Sequence, residues 1–537
     1  MTSTTSERDI IGFGTWLDKT AHEVIQREKM LNRSLPVIRT ESGLGASGFP
    51  HIGSLGDAAR AHGIKLAIEN MGVKSEMIAF ADDMDGLRKV PVGLPVDLRK
   101  YIGVPVSAIP DPFKCHDSYG RHMSSLLSDA IQMVGIDCIH ISAQEVYSKG
   151  ILTDQIIKIL SNSEKVGEII REETGQEKYV DALPYLAICN RCGRIYTTTA
   201  YEFLPKEYKV LYHCNGTELR GQSVEGCGYK GEADIRKAEG KLNWKVEFAS
   251  RWAALKICFE AYGKDISDSV RVNDRICEEV LGFPPPFHLK YEMFLDKGGR
   301  KISKSKGNVF TPQVWLNYGS PQSLLLLLFK RIEGTRSLSV DDIPRYMEEV
   351  DDLEDVYFGD KEVTNFMEEA KLKGLYKYVH LLKPSTHPEI HVPYRTLVSL
   401  WRWAPKGREI NYIEEMLRKY DLLKNGLSEG LLKRIEYAKN WFQDFEEKEK
   451  SIIELSIEET HALEDLIQVI EEEEDPEKIQ SQVFEIARNH GLKPRKMFRT
   501  IYMALIGKPR GPRLGSYIID LGREKVAMNL RGVIQSK

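Results

Sequence analysis

Apolar and polar positions along this 537-residue chain change their spacing several times, and each change predicts a different kind of element. Residues 36–41 read as a buried strand, and the run Ser42-Gly43-Leu44-Gly45-Ala46-Ser47-Gly48 after it reads as a turn. From 52 to 71 apolar residues recur at helical spacing (Ile52, Leu55, Ala59, Leu66), and 75–81 is strand-like again, ending in Asp82-Asp83. Strand, glycine turn, helix, strand opens a doubly wound parallel α/β sheet, which collects ligands at the C-terminal ends of its strands. Residues 180–235 break the pattern with cysteines and turns and read as an insertion. Helical spacing returns at 246–255 and 268–281, and a strand is expected at 288–294. The run 324–329 is too short to span a bilayer and reads as a buried helix. From 346 onward charged amphipathic segments dominate, 410–424 and 431–448 among them. The expected division is an α/β domain over 1–345 carrying the insertion, then an α-helical domain over 346–537.

Composition narrows this little: 42% apolar and 29% charged residues describe an ordinary globular chain. A net charge of −4 does not mark a nucleic-acid binder, so any RNA contact needs a local basic surface. Residues 1–8 are polar, so no secretion leader and no membrane segment are expected, and a cytoplasmic location is. Eight cysteines in such a chain point to metal sites or buried thiols before disulfides.

Two short segments carry most of the chemistry. Phe49-Pro50-His51-Ile52-Gly53-Ser54 enters the first helix, and Lys301-Ile302-Ser303-Lys304-Ser305-Lys306-Gly307-Asn308 lies about 250 residues later. Either alone is weak: a His-x-Gly at a helix start is commonly a cap, and a lysine-serine run is commonly a solvated turn. As a pair they suit attack of a carboxylate on the α-phosphate of ATP, where charge builds on phosphate oxygens and positioning dominates. His51 can donate to a phosphate oxygen, and Gly53 lets the nucleotide approach the backbone. Lys301 and Lys304 supply charge to the pyrophosphate, while Ser303, Ser305 and Gly307 keep their loop small enough to close over it. The glycines at 43, 45 and 48 also match G-x-G-x-x-G. The second strand, however, ends in paired acids leading to Asp85 rather than in a clear ribose-binding acid, so a dinucleotide site is set aside.

The pair resembles the HIGH and KMSKS elements of class I aminoacyl-tRNA synthetases. Further stretches, 43–60, 82–91, 110–122, Arg251-Trp252-Ala253 and Tyr262-Gly263-Lys264-Asp265, are similar to class I lysyl-tRNA synthetases of the archaeal type. That resemblance, strongest over 40–345, implies a Rossmann-type catalytic domain, a zinc-binding insertion and an all-α anticodon-binding domain. It implies ATP, with Mg, against Gly48, His51, Gly53, Ser54, Lys301, Ser303, Lys304 and Ser305. It implies L-lysine against Gly43, Gly45, Trp252 and Asp265, and tRNA(Lys) as the acceptor. Two positions depart from the family: Ser54 replaces the last HIGH histidine, and Ile266 stands where most relatives carry a histidine at the amino-acid pocket. An ammonium needs a carboxylate and an aromatic wall. Trp252 is the wall; Glu41, Asp82, Asp83, Asp85 and Asp265 are available carboxylates, and the choice among them stays open. The acids at 82–85 favour lysine over a glutamyl-type alternative, and intact His51, Gly53, Lys301 and Lys304 argue against a tRNA-binding relative without activity.

Cys189-x2-Cys192 with Cys214 and Cys227 has the spacing of a zinc ribbon. Asp111, Cys115, His116 and His122 offer mixed donors; their spacing alone is ambiguous, and the resemblance implies a second zinc there. With four protein ligands each, both sites would be structural. Cys138, Cys258 and Cys277 read as core, and His140 as a core or inter-strand residue. Residues 486–519 hold no acid but eight bases (Arg488, Lys493, Arg495, Lys496, Arg499, Lys508, Arg510, Arg513), a surface suited to tRNA phosphate. Trp401, Trp403 and Tyr412 are candidate base-stacking platforms. If the lysine loop acts in the chemical step, Lys304→Ala lowers kcat for amino-acid activation by roughly two to three orders of magnitude and leaves lysine affinity nearly unchanged. Pyrophosphate exchange reads both; a large rise in lysine KM alone contradicts the role.

Overall fold

The computed structural model describes residues 10–33, 35–295, 298, 310–405, 407–446, 455–506 and 513–535. The chain forms two units, Met1–Glu389 and Ile390–Lys537.

The first unit is built on five parallel strands: β1 (Ile38–Gly45), β2 (Ser75–Asp82), β3 (Ile139–Ser142), β4 (Ile257–Gly263) and β5 (Phe287–Tyr291). Their order across the sheet is β5-β4-β1-β2-β3, so the central strand is the first in sequence. β1 pairs with β2 along its whole length, from Ile38 opposite Ser75 to Gly45 opposite Asp82. The turn expected at 42–48 is therefore half strand. Gly43 and Gly45 continue the ladder, and having no side chains they leave the sheet's C-terminal edge open.

Helix α1 (Ile52–Asn70) is buried on nearly every side, because Ala58, Ala59, Ala61, Gly63 and Ala67 keep it narrow. A Cβ on Gly63 would lie 2.8 Å from Leu17 Cδ2. Helix α2 (Trp244–Leu255) starts at the Asn243 cap, whose side chain accepts the Lys245 N–H. The apolar run near 324–329 falls in the helix Pro321–Phe329 and is buried as expected. Cys258 and Cys277 are core residues as well. Cys138 corrects the sequence reading, being only partly buried, while His140 stands in the edge strand β3 opposite Ala79 of β2, an exposed inter-strand position rather than a core one. Between β3 and α2 the chain inserts a three-stranded antiparallel sheet (Thr198–Leu204, Lys209–Cys214, Lys230–Asp234) and a two-stranded pair, Tyr185–Ala187 with Gly240–Leu242.

The second unit is helical, with a core that includes Leu463, Leu466, Ile479, Val483, Ile501, Leu514, Ile518 and Leu530. Its acidic run 471–475 is more than a solvated turn. Arg523 donates to the carbonyls of Glu471 and Glu473 at 3.2 Å each, satisfying the end of the helix Ile457–Glu472. No helix among the described residues is long and apolar enough to cross a membrane.

In the second unit Gly515 sits directly against the helix Pro476–Asn489: a Cβ there would lie 1.9 Å from the Pro476 carbonyl oxygen. Gly515→Ala is therefore expected to destabilise this unit by about 1–3 kcal/mol. Denaturant unfolding of the full chain, followed through this unit, checks it.

Candidate active site

A cavity of about 370 Å³ opens where the C-terminal ends of β1 and β4 meet the start of α1. His51 caps α1, with its Nδ1 accepting the Ser54 N–H at 3.1 Å. A neutral ring that accepts at Nδ1 carries its proton on Nε2, which makes Nε2 a donor. Gly53 is required by this ring: a Cβ there would lie 2.9 Å from His51 Nδ1 and Cε1. The His-x-Gly spacing is thus a steric condition for the cap. His51, Gly53 and Ser54 all line the cavity; Gly48 is buried just ahead of α1 and does not. Lys301, Ser303, Lys304 and Ser305 lie outside the described residues. Both flanks of their segment are at the site, since Phe294 lines the cavity and Ile52 N–H donates to the Phe310 carbonyl at 3.0 Å.

The opposite wall comes from α2, β4 and β5. Trp252 lines it, and its indole N–H donates to Glu260 on β4. His288 packs against Trp252 at 5.1 Å and against Tyr262 at 5.6 Å between ring centroids, and is held by Asp274 at 2.8 Å. Arg251, fully buried, lies 2.7 Å from Glu41 and 3.6 Å from Glu260. Burial pushes the Glu41 carboxyl up to about 8 despite that guanidinium. On α1, Asp57 accepts from the Tyr291 hydroxyl, and burial raises its pKa to about 7.

Gly43, Gly45, Trp252 and Asp265 all line this cavity. Ile266 lines it too, while Ser267 bonds the Lys264 carbonyl and Asp268 pairs with Arg271. The acids at 82–85 are not waiting for a ligand. Asp82 and Asp85 hold the buried Lys241 ammonium at 2.6 and 2.9 Å, Asp85 also pairs with Arg88 at 3.3 Å, and Asp83 accepts the Gln144 N–H at 2.9 Å. They give no direct support to a cationic substrate, contrary to the sequence reading. Sequence reasoning missed Asp57, Glu260, His288 and Tyr291. The signal for Glu260 was present: it is the single acid in the apolar strand β4.

Both candidate metal groups assemble. The donor atoms of Cys189, Cys192, Cys214 and Cys227 lie within 4.8 Å of one another, as do those of Asp111, Cys115, His116 and His122. Four thiols at one point, with the Cys227 N–H and Thr197 hydroxyl turned to Cys214 Sγ, form a donor set that fits zinc. In the second group, burial would raise the Asp111 pKa, but the N–H groups of Phe113, Cys115 and His116 hold it at about 2, so an anion faces the two imidazoles.

In the second unit, Lys496 pairs with Glu459 and Arg513 with Glu477; Arg488, Lys493, Arg495 and Arg499 complete the described part of the basic stretch. Lys508 and Arg510 lie outside the described residues. Trp403 is a core residue and so no stacking platform; Trp401 and Tyr412 are partly buried, the former donating to the Ile435 carbonyl.

A helix cap, an open glycine edge and a wall of carboxylates and aromatics meet in one cavity at the strand ends of a parallel sheet, where α/β folds collect ligands. The family model described as tRNA synthetases class I (K) matches residues 14–381, and one described as an anticodon binding domain matches 431–534. The chain belongs to the class I (K) tRNA synthetase family. It is 48% identical over 524 residues to a lysine–tRNA ligase of Cenarchaeum symbiosum, covering 98% of this chain and 99% of that one. A lysine–tRNA ligase of Methanosphaera stadtmanae is 30% identical over 547 residues, with 96% and 99% covered. A solved glutamate tRNA ligase from Elizabethkingia meningosepticum aligns at a TM-score of 0.36 and 14% identity, covering 93% of this chain and 99% of that one.

Proposed function

We propose that this protein joins L-lysine to tRNA(Lys) with ATP, through a lysyl-adenylate formed in this cavity, in the cytoplasm. The lysine carboxylate attacks the α-phosphorus of Mg-bound ATP, pyrophosphate leaves, and a terminal ribose hydroxyl of tRNA then displaces AMP from the adenylate. His51 donates from Nε2 to the phosphate, Gly53 and Ser54 seat the nucleotide at the start of α1, and Lys301 and Lys304 neutralise the leaving pyrophosphate. Ser303 and Ser305 join them in binding the nucleotide. Gly43 and Gly45 present bare backbone to the amino acid, Trp252 is its wall, and Asp265 lies at its edge.

The observation that carries the reading is Glu260 beneath Trp252 and His288. It is a cavity-lining carboxylate fixed by an indole N–H, beside aromatic faces that favour a cation. Among the described residues the five acids Glu41, Glu260, Asp82, Asp85 and Glu247 pair with three bases, Arg251, Lys241 and Arg88. A glutamate side chain would need a cation, and Arg251 is already engaged by Glu41 and Glu260, which disfavours the glutamyl-type reading. The described bases of 486–519 suit the tRNA backbone, and the 431–534 domain suits its anticodon arm.

Glu260→Gln is expected to raise KM for lysine by about 10–100-fold, the scale of a hydrogen bond to a charged group, with a smaller change in kcat. Aminoacylation kinetics with tRNA present read both; an unchanged lysine KM would sink this pocket assignment.

Cys189, Cys192, Cys214 and Cys227 would hold one zinc and Asp111, Cys115, His116 and His122 another, both structural. Elemental analysis of chelator-free protein is expected to find two zinc ions per chain. Cys189→Ser with Cys192→Ser should lose one of them and destabilise the insertion. Protein purified without any zinc contradicts both sites.

A further inference from the structure

Lys241 belongs to the insertion, on the short strand Gly240–Leu242 that pairs with Tyr185–Ala187, and its side chain is completely buried. Its ammonium is held by carboxylates from three separate elements: Asp82 at the end of β2 (2.6 Å), Asp85 in the following loop (2.9 Å) and Glu247 on α2 (2.8 Å). The Tyr147 hydroxyl closes the far side, donating to Glu247 and accepting the Leu242 N–H, both at 2.9 Å. Burial alone would lower the Lys241 pKa, but the three carboxylates hold it well above the ordinary lysine value. Asp82, one wall of this cage, also lines the substrate cavity.

The group in the cage is chemically the group the cavity is read as receiving: a primary ammonium on an alkyl stem. Among the described residues four carboxylates, Asp57, Asp82, Glu260 and Asp265, border one cavity; Asp57 accepts from the Tyr291 hydroxyl, and the chain neutralises Asp82 with its own lysine. We propose that Lys241 is a positioning residue for amino-acid recognition, an internal ammonium that occupies the Asp82–Asp85–Glu247 cage and so directs the substrate's ammonium to Glu260. With the cage empty, Asp82 would compete for the ammonium. The substrate would then divide between two registers, only one of which sets its carboxylate toward the nucleotide. The inference rests on the reading of this cavity as the lysine pocket.

The test uses the full-length enzyme with tRNA and saturating ATP. Lys241→Met is expected to raise KM for lysine about tenfold while kcat stays within about threefold, and to reduce discrimination against ornithine, whose stem is one methylene shorter. In the parallel variant Lys241→Ala, whose short side chain leaves the cage open, added methylammonium is expected to bring the lysine KM back toward the wild-type value. A role confined to stability would lower the melting temperature without an amine response. A folded Lys241→Met protein with wild-type lysine KM and ornithine discrimination overturns the proposal, as does a folded Lys241→Ala protein that loses kcat alone and ignores methylammonium. Asp82→Asn with Lys241→Met removes one charge of each sign, so it remains readable where the single variant does not fold. It should keep the lysine KM within about threefold of wild type, and a tenfold rise overturns the proposal. Should Glu260→Gln raise the lysine KM while Lys241→Met does not, only the positioning role fails. An unchanged KM in Glu260→Gln removes the pocket reading itself.

Discussion

The site depends on burying opposite charges along one face of α2. Glu247 and Arg251, four residues apart, occupy successive turns, with Trp252 beside the second. Glu247 reaches Lys241 and through it Asp82 and Asp85; Arg251 reaches Glu41 on β1 and Glu260 on β4; Trp252 donates to Glu260. Removing ions from water is costly, and breaking a buried pair by deleting one partner typically costs about 3–5 kcal/mol. The members therefore hold one another in a single arrangement. Burial drives the Glu247 carboxyl up to about 7 and Glu41 to about 8, against the pull of Lys241 on the first and Arg251 on the second.

What was legible in the sequence was local. The α1 periodicity, the His51 cap and the Cys-x2-Cys turn are each written within a few residues, and each appears in the fold at its expected place. The glycine run was read as a turn because glycine weakens strands in general. Pairing with β2, six of whose eight residues are neither glycine nor charged, overrode that preference as far as Gly45. The acids at 82–85 were misread for the opposite reason. Their partner Lys241 is more than 150 residues away and lies in the insertion, so no window around Asp82 contains it. Glu260 and His288 become neighbours only because β4 and β5 are adjacent in the sheet, where Glu260 stands opposite His288.

Ile266 illustrates the same limit. The resemblance marks this position as one where relatives carry histidine, and sequence neighbours were the natural candidates to compensate. Of these, Ser267 and Asp268 have local partners, and Asp265 alone lines the cavity. An imidazole is nevertheless present in the same wall, supplied by His288 from β5 and oriented by Asp274. The pocket keeps a polar aromatic group although the position next to Asp265 is apolar, because a site is assembled from strand ends rather than from one segment.

The sign of a buried pocket therefore does not follow from counting acids near it. The 82–85 cluster looked like a cation site and is closed by Lys241; Arg251 looks like an anion site and is closed by Glu41 and Glu260. What a ligand meets is the remainder after these pairings. Among the described residues that remainder includes Glu260, whose carboxylate accepts the Trp252 indole N–H beside the Trp252, His288 and Tyr262 rings. In low-dielectric surroundings a displaced counter-charge changes that remainder by a whole unit, while the cavity's shape hardly changes. Arg251 on α2 and Lys241 on the short strand before it thus set how much of the surrounding acid is matched by base.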